Sequence, residues 1–223
     1  MKLYCEEFDF QISMEENQIN VLSVENPKAY SMILEDLWNQ CNGGDGMFVL
    51  SEKDITKSIT KELNCVFHPF DFSVNSKRVI TKLYQELREN AEEQYLEDCL
   101  EVHRNIIQLL DRLALSVDYP VKYDFELDVS TLLKLYDVQM DCDGLSLLER
   151  MIDYVKIMHR LCHVTIFLWI GLKQYLDVEE LKQFYEFVFY EKINLIIVEA
   201  FHSPKIESEK CFLLDQDLCI IEL

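Results

Sequence analysis

The sequence predicts an α/β protein in which a mixed-sheet head, built from the two ends of the chain, carries an inserted α-helical leg. Three observations lead there. At both ends, short apolar runs bounded by turn residues alternate with amphipathic stretches, as in strands alternating with helices. Residues 164–199 read strand, helix, strand, a parallel βαβ unit. Residues 77–116 contain neither Pro nor Gly, and their apolar residues recur every three or four positions, as in one long amphipathic helix. With 5 Gly and 4 Pro in 223 residues, the chain is too poor in turn residues for an all-β sandwich or a linker-rich protein.

Residues 3–12 alternate, with Phe8, Phe10 and Ile12 on one face and Glu7, Asp9 and Gln11 on the other. This predicts a half-buried strand, with Ile19–Val24 as its neighbour. Asn26-Pro27 is an N-cap followed by proline at the first helical position. The helix it opens places Tyr30, Leu34, Leu37, Trp38 and Cys41 on one face and stops at the turn cluster 42–46. Residues 47–50 read as a short strand, 52–63 as a short helix, and 65–67 as another strand. The helix over 77–116 is about 40 residues and ~60 Å long, too long to wrap a small core, so it should project.

Pro120 closes that region. Residues 123–128 read as an extended piece and 129–139 as helix. Ser146-x-x-Glu149 and Asp177-x-x-Glu180 are capping boxes. They open helices to about Cys162 and through Tyr190. Residues 164–169 form a continuous apolar strand of the kind found inside parallel sheets. Asn194–Glu199, 211–214 and 218–223 complete the sheet. The predicted domains are a head of 1–74 and 163–223 and a leg of 75–162.

The charge is −20, which excludes a general nucleic-acid-coating protein. A focused basic patch remains compatible with it, because salt screens charges beyond roughly 10 Å. The eight cysteines are scattered without a CxxC pair, and residues 1–7 lack the apolar run of a secretory signal. Reduced thiols in a cytoplasmic protein are expected. The longest apolar stretch, 164–172, falls short of the roughly 20 residues that span a bilayer.

Several chemistries lack their residues. Gly43, Gly44 and Gly46 follow a helix and precede a strand, with no Lys-Ser or Lys-Thr closing the loop, so they do not make a phosphate loop. A calcium loop centred on Gly144 would have Gln139 at its first position and Arg150 at its twelfth, where carboxylates are required. His159 and His163 share a helical face, but Arg160 stands where a zinc protease has its glutamate.

Two features survive. In an extended segment Asp124, Glu126 and Asp128 share one face. Their repulsion would be relieved by a cation, and oxygen-only ligands suit calcium; the alternative is a solvated acidic loop. The second is the basic neighbourhood of residues 53–82, with Lys53, Lys57, Lys61, Lys77, Arg78 and Lys82 against three acids. Lys53, Lys57 and Lys61 repeat every four residues as a helical stripe that could follow a phosphate backbone; the alternative is an exposed face of unrelated lysines.

The chain resembles the small CRISPR-associated protein of type II-A systems, the fourth protein of spacer acquisition. The resemblance is carried by Val74-Asn75-Ser76 leading into Lys82-Leu83-Tyr84, and by Tyr175-Leu176-x-x-Glu179-Glu180-Leu181 after an apolar strand. Asn194–Glu199 and Leu214-Asp215-x-Asp217 carry it further, in an ordered set over essentially the full length. The resemblance implies a head related to a degenerate P-loop NTPase core and a non-enzymatic homotetrameric ring. It also implies linear double-stranded DNA in a central basic hole, and calcium near the head–leg junction. The implied partners are the CRISPR integrase proteins and the effector nuclease in spacer capture, with no membrane. Gly171 departs from the asparagine that relatives tend to carry there. The competing class is an acidic protein-interaction scaffold of the adaptation complex that does not itself bind DNA.

Overall fold

The computed structural model describes residues 1–53, 55–70, 72–124, 126, 128–142 and 144–223. Asp54 and Asp71, two of the three acids in the basic neighbourhood, and Asp143 of the calcium-loop alignment lie outside the described residues. The chain divides into two compact units: Met1–Val74 with Cys142–Leu223, and Asn75–Asp141.

The first unit is mixed α/β. Its larger sheet has the order β10-β9-β3-β8-β7-β6, with β3 (Ile19–Val24), β6 (Leu63–Val66), β7 (Ile166–Ile170), β8 (Asn194–Glu199), β9 (Glu209–Leu214) and β10 (Ile220–Glu222). The pairs from β9 to β6 are parallel, and β10 adds an antiparallel edge. Every residue of β3 and β7 is buried, as expected for parallel strands covered on both faces. The predicted βαβ unit is β7, α7 (Val178–Tyr190) and β8.

A second, four-stranded antiparallel sheet has the order β2-β1-β4-β5. Its strands are β1 (Lys2–Cys5), β2 (Phe10–Ser13), β4 (Phe48–Glu52) and β5 (Ile55–Lys57). Two expectations are corrected here. Residues 3–12 are a hairpin rather than one strand, and β3 pairs with β8 and β9 rather than with them. The hairpin's signal is a parity change: Leu3 and Cys5 are buried at odd positions, Phe10 and Ile12 at even ones. The turn between them holds Asp9 at φ 46°, and the Tyr4 hydroxyl donates to Asp9 Oδ1 at 2.8 Å.

Helix α1 (Pro27–Cys41) starts as predicted, with Asn26 accepting from the Lys28 and Ala29 amides. Its buried face is Ala29, Ile33, Leu37 and Gln40, whereas Trp38 is 57% exposed. The face is rotated because Gln40 is used as backbone: its amide exchanges two hydrogen bonds with Phe48, at 2.9 and 3.1 Å. Residues 52–63 are not one helix. They continue β4, turn through Lys53 at φ 49°, run through β5, and end in the one-turn helix α2 (Ile59–Glu62). The adjacent β-branched Ile55 and Thr56 weaken a helix over β5 and suit a strand.

The second unit contains α3 (Lys77–Gln94), α4 (Leu96–Ala114) and α5 (Val129–Leu135). The single 77–116 helix is therefore corrected to two, separated at Tyr95 with φ −122° and ψ 24°. Glu97 and Asp98 occupy the first turn of α4, where the helix dipole favours carboxylates, so this acidic pair marks a second start. Asn75 closes the unit, donating to the Met140 carbonyl at 3.0 Å and accepting from its amide at 2.9 Å.

The predicted leg boundary at 162 moves to 141. Helix α6 (Leu147–Cys162), opened by its capping box, belongs to the α/β unit. It buries Leu148, Met151, Tyr154, Val155, Met158 and Cys162 there, each large aliphatic contributing about 1.5–3 kcal/mol. Among the described residues no helix is long and apolar enough to cross a membrane.

Candidate nucleic-acid interface

The six basic residues fall in two groups, three in each unit. In the α/β unit Lys53, Lys57 and Lys61 occupy three different pieces of backbone, so the helical stripe does not form. Lys53 is exposed in the β4–β5 turn and Lys61 is exposed on α2. Lys57, at the end of β5, pairs with Glu52 across the hairpin at 3.1 Å. The ammonium holds the Glu52 carboxyl below the usual range, and the same pairing offsets part of the charge Lys57 could offer a phosphate.

In the helical unit Ser76 caps α3, its hydroxyl accepting from the Val79 amide at 3.4 Å. Lys77, Arg78 and Lys82 follow within the first two turns, all exposed. Arg78 and Lys82, four residues apart, share one exposed side that flanks the packed positions Val79, Leu83 and Leu87. Cations at a helix N-terminus add to the positive end of the dipole, and an arriving phosphate relieves that repulsion.

The acidic trio is not drawn together. Asp128 is the N-cap of α5 and accepts from the Ser130 amide and from both the amide and the hydroxyl of Thr131. These bonds hold its carboxyl below the usual range. Asp124 Oδ1 accepts from the Glu126 amide at 3.3 Å. Among the described residues no group of three or more His, Cys, Asp or Glu comes together to hold a metal. Calcium takes six to eight oxygens, so the trio as arranged does not fit it as a closed site. The histidine pair is also explained. His159 Nδ1 bonds the Val164 carbonyl at 2.7 Å, and His163 is the left-handed C-cap of α6 at φ 56°.

Sequence reasoning missed a buried charge network in the α/β unit. Glu209 accepts from Lys173 Nζ at 2.9 Å, from the Tyr185 hydroxyl at 2.6 Å and from the Ile206 amide at 2.8 Å. Glu199 accepts from the Lys173 amide at 2.9 Å, and burial pushes its carboxyl up. Burial and Glu209 push the Tyr185 phenol far up. Lys173 also lines a pocket of about 620 Å³ with Leu176, Val178, Leu181 and Pro204. A glutamate inside an apolar strand, Glu199, was the available signal. Gly171 opens the 3-10 turn that positions Lys173, at φ 66°, a left-handed conformation that glycine and asparagine adopt most readily.

At the C-terminal end of β3, where α/β sheets commonly bind ligands, the start of α1 is already satisfied. Asn26 fills its first amides, Pro27 has no N–H, and Asn26 and Gln216 tie the loop to the β9–β10 turn at 3.0 and 2.7 Å. A mixed α/β unit so closed, joined to a helical unit that begins with exposed bases, defines a class: an α/β protein without a phosphate loop, carrying an inserted helical unit. The model of the CRISPR-associated protein (Cas_Csn2) family matches residues 40–218, and the chain belongs to that family. The resemblance to the small type II-A protein holds, and the family has its role in CRISPR adaptation. A search of curated proteins gave no match.

Proposed function

We propose that this chain acts in CRISPR adaptation as a non-catalytic, homotetrameric ring that binds the ends of linear double-stranded DNA without reading sequence. The observation that carries the reading is the exposed set Lys77, Arg78 and Lys82 at the start of α3, in a protein of net charge −20. An acidic surface repels phosphate, so a productive contact passes through a locally positive region, and low-dielectric walls of a hole would focus its field. In the α/β unit Lys53 and Lys61 are proposed as further phosphate contacts, with Lys57 contributing less because of Glu52. Phosphate contacts position the duplex without specifying bases.

The tetramer is supported by α4. None of its residues is buried, and Leu96, Leu100, Leu109 and Leu113 are each at least half exposed, a large apolar area for a lone chain to leave in water. The same surface favours the second reading, an adaptation-complex scaffold that does not itself bind DNA. The head is proposed to derive from a degenerate nucleotide-binding core, and the closed β3–α1 junction is compatible with the loss of a phosphate site there. Integrase proteins and the effector nuclease are the proposed partners, and calcium the proposed cation, with Asp124 and Glu126 the carboxylates left to it; no other part of the reading depends on calcium. Mobility shifts with linear duplex, beside a mass measurement of the oligomer, test the reading. A tetramer that shifts linear DNA supports the ring, whereas an oligomer that shifts none supports the scaffold.

A further inference from the structure

We propose that Cys41 and Cys65 form a redox-modification site at which a hydroperoxide converts two thiols to a reversible disulfide. The two Sγ atoms lie 2.9 Å apart and share an S–H···S hydrogen bond, although the residues are 24 positions apart. Cys41 is the last residue of α1, and Cys65 sits on β6, opposite Leu168 of β7. Both are partly buried against the apolar core. The sulfurs need less than ~1 Å of further approach to reach the bonded distance of about 2.05 Å, and neither belongs to the basic or acidic groups above.

The pair is also chemically unequal. The neighbouring thiol, by its hydrogen bond, holds Cys41 below the ordinary thiol range, while that bond and burial hold Cys65 well above it. Cys41 therefore attacks: its thiolate takes the outer oxygen of the hydroperoxide, the O–O bond breaks, and the departing oxygen leaves as water or alcohol after protonation. Cys65 then attacks the resulting sulfenic sulfur, losing its proton to the departing hydroxide. The S–O bond breaks, water leaves and the S–S bond forms. Two thiols lose two electrons and the peroxide gains them. The closed loop contains β4, β5 and α2 and thus Lys53, Lys57 and Lys61, so oxidation would staple that segment.

The test uses the full chain, reduced, then treated with one equivalent of hydrogen peroxide, unfolded in denaturant and alkylated. Six of the eight thiols should then alkylate, the non-reducing peptide map should show the Cys41–Cys65 linkage, and dithiothreitol should restore all eight. In Cys65→Ser, which keeps a hydrogen-bond donor beside Cys41 but cannot close the disulfide, a sulfenic acid at Cys41 should be trapped by dimedone. The map of the unmutated chain stands even where that variant folds poorly. Eight alkylated thiols, modification chiefly at the exposed Cys219, or linkage scattered among other cysteines would overturn the proposal. None of these outcomes depends on DNA.

Discussion

Glu199 and Glu209 are both buried carboxylates, yet they make opposite predictions. Glu209 is matched by a cation, a phenol and an amide, so Lys173→Met would strand its charge. Breaking a buried pair by removing one partner destabilises by about 3–5 kcal/mol, and urea unfolding of Lys173→Met should show a loss of that order. Glu199 is held high by burial. A carboxyl raised in the folded state is less unfavourable when protonated, so it adds stability as pH falls from its folded pKa toward the unfolded value near 4.3. Glu199→Gln keeps the acceptor for the Lys173 amide and removes the charge. It should match or exceed the parent's melting temperature at neutral pH and lose that acid-side gain. Asp128 behaves oppositely: its carboxyl is lowered, so its contribution is full above the unfolded pKa and disappears as pH falls through the folded one. Asp128→Asn should preserve the α5 cap. If calcium raises the melting temperature, Asp124→Asn with Glu126→Gln should abolish that rise while Asp128→Asn leaves most of it. An equal loss from Asp128→Asn alone would place Asp128 among the ligands.

At the scale of elements, the most local chemistry was the most legible. Asn26-Pro27, Ser146-x-x-Glu149 and Asp177-x-x-Glu180 each open the helix the sequence predicts. Asp177→Ala removes the acceptor for the Glu179 and Glu180 amides and should lower unfolding free energy by about 1 kcal/mol, read by chemical denaturation. Parallel strands were legible because residues buried on both faces read as unbroken apolar runs. What failed depended on partners distant in sequence. The four-stranded sheet needs β4 against β1, which no local pattern announces. The Lys53-Lys57-Lys61 spacing imitates a helical stripe across a strand, a turn and a helix. The break at Tyr95 involves no Pro or Gly, and its only sign is the acidic pair that follows. The buried partnership of Lys173 with Glu209 joins residues 36 apart, and its one sign in the sequence is Glu199 inside an apolar strand, which does not name the partners. The segments that carried the family resemblance are largely structural: Ser76 caps α3, Asn75 closes the helical unit, and Asp215 accepts from the Asp217 and Cys219 amides in the β9–β10 turn.

For the whole molecule, the central claim is that a protein of charge −20 grips DNA only through a confined basic region and admits it by an end. In the proposed ring four such chains would repel one another, so it would depend on apolar contact, and Leu100→Glu with Leu109→Glu on α4 should then reduce the mass by light scattering to that of smaller species. Charge reversals at Lys61, Lys77 and Lys82 should weaken binding without altering the oligomer. Lys57 is better left intact, because a glutamate there would face Glu52 and disturb the β4–β5 hairpin. Binding should fall with salt at a log–log slope of about −0.9 per phosphate neutralised. The most direct measurement compares one duplex sequence as a linear fragment and as a covalently closed circle, in the same gel at the same salt. The threading account predicts a shifted linear fragment, an unshifted circle, and recovery of the shift when the circle is cut once. Equal affinity for circle and fragment would contradict it.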